Sequence, residues 1–146
     1  MPDSNSEHWL RLTRMYERAP CNAHVRPQMT IRHGEAELRI AVRPDFFHAA
    51  GAVHGSYYFK ALDDAAFFAA NSLVEDVFLL TASFTTQLLR PISAGALVAH
   101  GRVVRAGRAM IFADSVLTDE AGIELGRGTG VFARSTVKLE EKMGYR

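Results

Sequence analysis

HAAGAVHGSYYFKALDDAAFFAANSL, residues 48–73, holds the longest run of small, aromatic and aliphatic residues in the chain. From residue 54 to 74 the chain has no proline and, past Gly55 at its mouth, no glycine. That is the length and content of a buried helix. Two strand-like runs precede it and four follow, so the expected fold is α+β, one antiparallel sheet of about six strands covering one long helix. With no second layer on the helix's far side, the sheet has to curl around it. The sheet's outer face or edge then needs a partner.

Outward from the helix, residues 24–42 alternate polar and apolar around His33-Gly34, which predicts a strand, a turn and a second strand closed by Pro44. Residues 4–18 set Trp9, Leu10, Leu12, Met15 and Tyr16 between charges at helical spacing, and Pro20 ends that short amphipathic helix. On the other side come runs at 77–89, 96–105, 109–117 and 123–132, divided by turn signals at 91–95, 106–107 and 119–122. The last three are expected to form an antiparallel meander. The charged tail 136–146 reads as frayed or helical, and the whole chain 1–146 as one domain.

Of the 146 residues, 48% are hydrophobic and 23% charged, with a net charge of +1, which argues against a general nucleic-acid or membrane-surface binder. The one cysteine, Cys21, makes no internal disulfide, and the polar, acidic start MPDSNSEHWLRL lacks the pattern of a signal peptide. A cytoplasmic protein is expected. The six histidines fall at no metal-ligand spacing, so no metal is expected, and there is no Gly-x-Ser-x-Gly elbow for a serine hydrolase. GRGTG at 126–130 leads into strand-like VFARS instead of a helix, so it lacks the mechanism of a phosphate loop.

The helix also carries chemistry. Asp63 and Asp64 sit about 100° apart around the axis and cannot share a proton. Asp64 shares its stripe with Lys60 and reads as the solvated member, whereas Asp63 lies among Phe59, Ala66 and Phe67. Desolvation there raises its pKa and makes it a candidate base; a structural carboxylate tied to backbone donors is the equal alternative. His54-Gly55 opens the helix, where free N–H groups and the positive end of the dipole can hold a carbonyl oxygen. From His54 to Asp63 is about 13.5 Å along the axis. Asp63 therefore cannot reach a carbonyl held at its own Gly55. If both act on one substrate, a two-fold related copy must bring its Asp63 to this Gly55.

These residues resemble the hotdog-fold acyl-CoA thioesterases of the PaaI type, over residues 42–132 and best at GAVHGSYYFKALDDAAFFAANS and TASFTTQLLRPISAG. That family's pattern is Asn, five residues, His-Gly-Gly, then a catalytic Asp seven positions after the second glycine, with a later Ser or Thr ten residues before the Pro of an Arg-Pro element. The resemblance implies a homodimer, often paired into a homotetramer, that hydrolyses a small or medium acyl-CoA, with aromatic acyl groups among the candidates. No cofactor is implied, since CoA is part of the substrate. Gly55 N–H would polarise the thioester carbonyl, and Asp63 of the other subunit would be general base or nucleophile. Thr81 would hold the water or orient Asp63, and His54 would set the turn. The chain departs from the pattern at His48, where Asn is usual, and at Ser56, where the second glycine is usual; a helix-capping role is expected for Ser56. Arg90, Arg105 and Arg108 are candidates for the CoA phosphates. The same fold also serves hydratases or dehydratases and non-catalytic acyl-CoA-binding modules, and these are the alternatives.

Overall fold

The computed structural model describes residues 4–146. In chain order the elements are α1 (Ser4–Arg18), β1 (Gln28–Arg32), β2 (Glu35–Ala41), α2 (Gly55–Asn71), β3 (Val77–Leu88), β4 (Ala96–Ala106), β5 (Met110–Thr118) and β6 (Glu124–Lys138). The six strands form one antiparallel sheet in the order β1-β2-β4-β5-β6-β3, and every strand touches α2. The sheet thus wraps the helix in the expected hotdog arrangement. No helix among the described residues is long and apolar enough to cross a membrane.

Close approach explains why alanine dominates the helix. Ala61, Ala65, Ala66, Ala69 and Ala70 are fully buried against the sheet. At Gly101 of β4 the gap closes so far that an added Cβ would strike the Ala65 carbonyl, a backbone atom that cannot swing aside. Gly101→Ala is therefore expected to destabilise the fold by about 2 kcal/mol or more, read as a lower midpoint in urea unfolding. Beside it, Ser115 of β5 satisfies its buried hydroxyl by donating to Leu62 O at 2.7 Å.

The GRGTG segment lies inside β6, consistent with its exclusion as a phosphate loop. Its alternate glycines share the inner face, and a side chain at Gly128 or Gly130 would collide with the ring of Phe84. That ring meets Phe59 of α2 edge-on at 5.6 Å, so the missing side chains make a slot that an aromatic from the next strand fills.

α2 is shorter than the expected 54–74. His54 precedes it as the N-cap, and buried Asn71 ends it. The Asn71 amide donates to Val74 O and Val77 O and accepts from Leu79 N at 3.0 Å, fastening the helix exit to the start of β3. α1 covers this end: His8 Nε2 donates to Asn71 O at 3.0 Å and Trp9 Nε1 to Ser72 O at 3.1 Å. Carbonyls that the end of α2 leaves without helical partners are satisfied this way.

The tail, expected to be frayed or helical, instead continues β6 to Lys138 and turns back through a short 3₁₀ segment, Glu141–Met143, onto α1. Tyr145 donates its hydroxyl to His8 Nδ1 at 2.7 Å, which gives this terminus a fixed attachment.

β3 forms one edge of the sheet. It pairs only with β6 among the described strands, leaving a twelve-residue rim of backbone groups on its other side. Leu80 and Leu88 on this strand are 51% and 54% exposed. Met110 and Phe112 add exposed apolar area on the sheet's outer face.

Candidate active site

The first part of the site is the mouth of α2. A short loop reaches it through a bridge between Phe47 and Val53, with His54 N donating to Phe46 O at 2.9 Å. His54 Nδ1 then accepts from Ser56 N at 3.0 Å and lies 2.9 Å from Ser56 Oγ. Capping therefore belongs to His54, and Ser56 is the residue it caps, because His54 is already in the extended conformation (φ −64°, ψ 144°) that an N-cap requires. Accepting at Nδ1 leaves the ring hydrogen on Nε2, so neutral His54 offers a donor outward.

Gly55 is the first residue of the helix, and its N–H has no carbonyl one turn earlier to receive it. It opens into a cavity of about 550 Å³ that also contains His48, His54, Leu88 and Arg90. His48 is held by its own turn: Nδ1 accepts from Ala50 N at 3.1 Å, and its carbonyl accepts from Gly51 N at 3.0 Å. Gly51 has a φ of +83°, a conformation that glycine supplies without strain. Tyr58 donates to Arg90 O at 2.6 Å and so pins the segment after β3 to the first turns of α2.

The second part surrounds Asp63. Thr81 Oγ1 of β3 donates to Asp63 Oδ1 at 2.9 Å, leaving Oδ2 available. Burial pushes the Asp63 pKa up to about 6; the nearby charge of Asp64 adds to the rise, while the Thr81 hydrogen bond and Lys60 oppose it. A cavity of about 280 Å³ lies against Asp63 and Thr81, walled by Met15, Phe67, Phe68 and Leu79.

Asp64 is not solvated as expected. Its side chain is only 18% exposed, because α1 folds over it: Tyr16 donates to Asp64 Oδ2 at 2.7 Å, and Lys60 Nζ donates to the same oxygen at 2.9 Å. The i, i+4 spacing permits the Lys60 pairing, but Tyr16 arrives from outside the helix and reads in sequence only as an apolar position of α1.

Thus His48, His54, Gly55 and Arg90 share one cavity, Asp63 and Thr81 another, and neither cavity contains both groups. Arg105 and Arg108 line neither; both are exposed at the β4–β5 hairpin. Strand register places that hairpin at the Asp63 end, since Thr81 pairs with Phe132, Phe132 with Ile111, and Ile111 with Ala106. Among the described residues no three His, Cys, Asp or Glu side chains converge as a metal site.

The sequence profile of the thioesterase superfamily matches residues 50–140. The fold is shared with the Escherichia coli PaaI protein from the phenylacetic acid degradation operon, at a TM-score of 0.84 and 20% identity over 93% of this chain and 99% of that one. A phenylacetic acid degradation-related protein of Ralstonia eutropha superposes with a TM-score of 0.76 at 22% identity, covering 86% and 98%. A Thermus thermophilus protein gives 0.74 at 23% identity, covering 81% and 99%. No curated protein matches the sequence at a significant level.

Proposed function

The chain belongs to the thioesterase superfamily, and from that premise we propose that it hydrolyses acyl-CoA thioesters in a homodimer whose sites each combine the Gly55 end of one copy with the Asp63 end of the other. The observation that carries this reading is the separation of the two half-sites along an open edge. Thr81 marks one cavity and Leu88 the other, both on β3. Two copies of β3 pairing antiparallel about a centre between Phe84 and Thr85 set Thr81 of each copy opposite Leu88 of the other. Each Asp63 then faces the other copy's Gly55, and the exposed rim of β3 gains its missing hydrogen bonds.

In such a site the Gly55 N–H, at the positive end of α2, holds the thioester carbonyl oxygen and stabilises the charge that develops on it. Asp63 of the second copy takes a proton from water as the water oxygen bonds to the carbonyl carbon. The tetrahedral intermediate collapses, the carbon–sulfur bond breaks, and the proton passes from the Asp63 carboxyl to the departing thiolate. Free acid and CoA leave. Thr81 fixes one carboxylate oxygen, so the other is aimed at the water. A pKa near 6 leaves Asp63 ionised at neutral pH yet a usable base. The hydratase or dehydratase alternative asks an imidazole to accept a proton, but the His54 acceptor nitrogen is already spent on the helix cap.

Arg90 lies where the CoA arm leaves Gly55, and its forked donors suit a phosphate. Arg105 and Arg108 of the second copy sit at the hairpin on the far side of the sheet, three strands or about 14 Å from Thr81. Two dimers meeting on the outer face at Met110 and Phe112 would make a tetramer and cover that apolar area.

The acyl group enters the cavity beside Asp63. At about 280 Å³ it is nearly twice the roughly 150 Å³ that holds benzene in an apolar protein cavity, enough for one ring and a few further atoms. Two of the similar structures are named for phenylacetic acid degradation, which agrees with an aromatic acyl group. Thiol release across an acyl-CoA panel should show benzoyl-, phenylacetyl- and butanoyl-CoA turned over with kcat/KM about tenfold or more above dodecanoyl-CoA. A preference for the long chain would refute this size limit.

A further inference from the structure

Lys60 can reach two carboxylates. On a helix its neighbours at three and four residues are Asp63 and Asp64, and a lysine beside both has no intrinsic reason to choose the second. Here its Nζ lies 2.9 Å from Asp64 Oδ2, and its ammonium stands 5.7 Å from the centre of the Tyr16 ring. Tyr16, itself buried, also donates its hydroxyl to that same Asp64 oxygen at 2.7 Å. α1 thus supplies one side chain that anchors the carboxylate and offers a π-face to the ammonium. Tyr16 lies on α1, outside residues 50–140 matched by the thioesterase superfamily profile, so the clamp joins the N-terminal segment to the matched region.

We infer that Asp64, anchored by Tyr16, is a positioning residue that holds the Lys60 ammonium away from Asp63 and keeps the Asp63 carboxylate unpaired. The inference rests on reading Asp63 as the base. An Asp63 paired to Lys60 is a weaker base with an oxygen blocked; an Asp63 beside an anchored, already satisfied ion pair keeps its free oxygen and its raised affinity for a proton. Burial and the Asp64 charge raise that affinity, and Lys60 lowers it. Releasing Lys60 would enlarge the opposing effect. Among the described residues the ionisable groups of this cavity are Tyr16, Cys21, Lys60, Asp63 and Asp64; in the dimer His48, His54 and Arg90 of the second copy face it as well. Cys21, the histidines and Arg90 are the same in every variant below.

The test is the acid limb of kcat/KM against pH, measured with one compact acyl-CoA for four proteins: native, Asp64→Asn, Lys60→Met and the double variant. Asn keeps the acceptor for Tyr16, and Met keeps the lysine's stem, so each variant preserves the packing; circular dichroism melting checks that each is folded. Asp64→Asn should move the limb down by about one pH unit or more as Lys60 turns to Asp63. Lys60→Met should move it up. In the Lys60→Met background, adding Asp64→Asn should produce a clearly smaller downward shift, because no ammonium remains to be released. Equal shifts in both backgrounds would show plain repulsion between the aspartates and overturn the inference. Unmoved limbs, with Asp63→Asn inactive, would overturn it alone. Full activity of Asp63→Asn would overturn the base reading and this inference together.

Discussion

Asp63→Asn is expected to lower kcat/KM by about a thousandfold while making the protein harder to unfold at neutral pH. The loss follows from removing the group that takes the proton from water. The gain follows from burial. The folded-state pKa of Asp63 is raised from 3.8 to about 6, so the charged form is disfavoured in the native protein. Below the unfolded value both states are protonated and burial of the charge costs nothing. Between the two values the native state binds more protons than the unfolded chain, and stability falls as pH rises; above about 6 the full cost is present. Asparagine escapes that cost. After discounting for partial exposure, the variant should gain about 1–2 kcal/mol at pH 7, with the advantage disappearing near pH 4. Thermal melting at the two pH values, beside thiol-release kinetics, reads both effects. Equal turnover by native and variant protein would remove Asp63 from the mechanism.

The second large effect is recovery of activity from two inactive proteins. Gly55→Pro removes the N–H proposed to hold the carbonyl, at a helix position where proline is well tolerated. His54 before it already has the extended backbone that a following proline demands. The main intrusion is on the Leu88 tip, 2.9 Å from an added Cβ and the far end of a flexible side chain. Alone, this variant and Asp63→Asn should both be nearly inactive. Unfolded and refolded together in equal amounts, half of the dimers are hybrids, and each hybrid has one site with both native groups. About a quarter of native activity should return. Hybrids verified by mass and still inactive would mean that the two groups do not meet across a dimer.

Local pattern carried much of this into the sequence. Helical and alternating periodicity placed α1, α2 and all six strands, and the distance from His54 to Asp63 along one helix already kept the two candidate groups of one copy apart, as the two separate cavities do. What stayed hidden depends on contacts between distant segments. That β3 crosses to the far edge beside β6 is decided by how the sheet closes around α2. Asp64 looked solvated because its stripe on α2 is polar; only the arrival of Tyr16 from α1 buries it. Ser56 looked like the cap from residue type alone, whereas the extended backbone at His54 gives that role to the preceding side chain. The tail read as frayed or helical because its charges hide Tyr145, which has a partner waiting on α1.

The rim of β3 has one more consequence. Its twelve residues, VFLLTASFTTQL, include no charge and no proline, the usual guards against the wrong neighbour. If this rim pairs with a second copy as proposed, a newly made chain is vulnerable until that meeting, and scarce expression lengthens the interval. Abundance in the cell becomes a determinant of how much of this protein escapes chaperones and proteases.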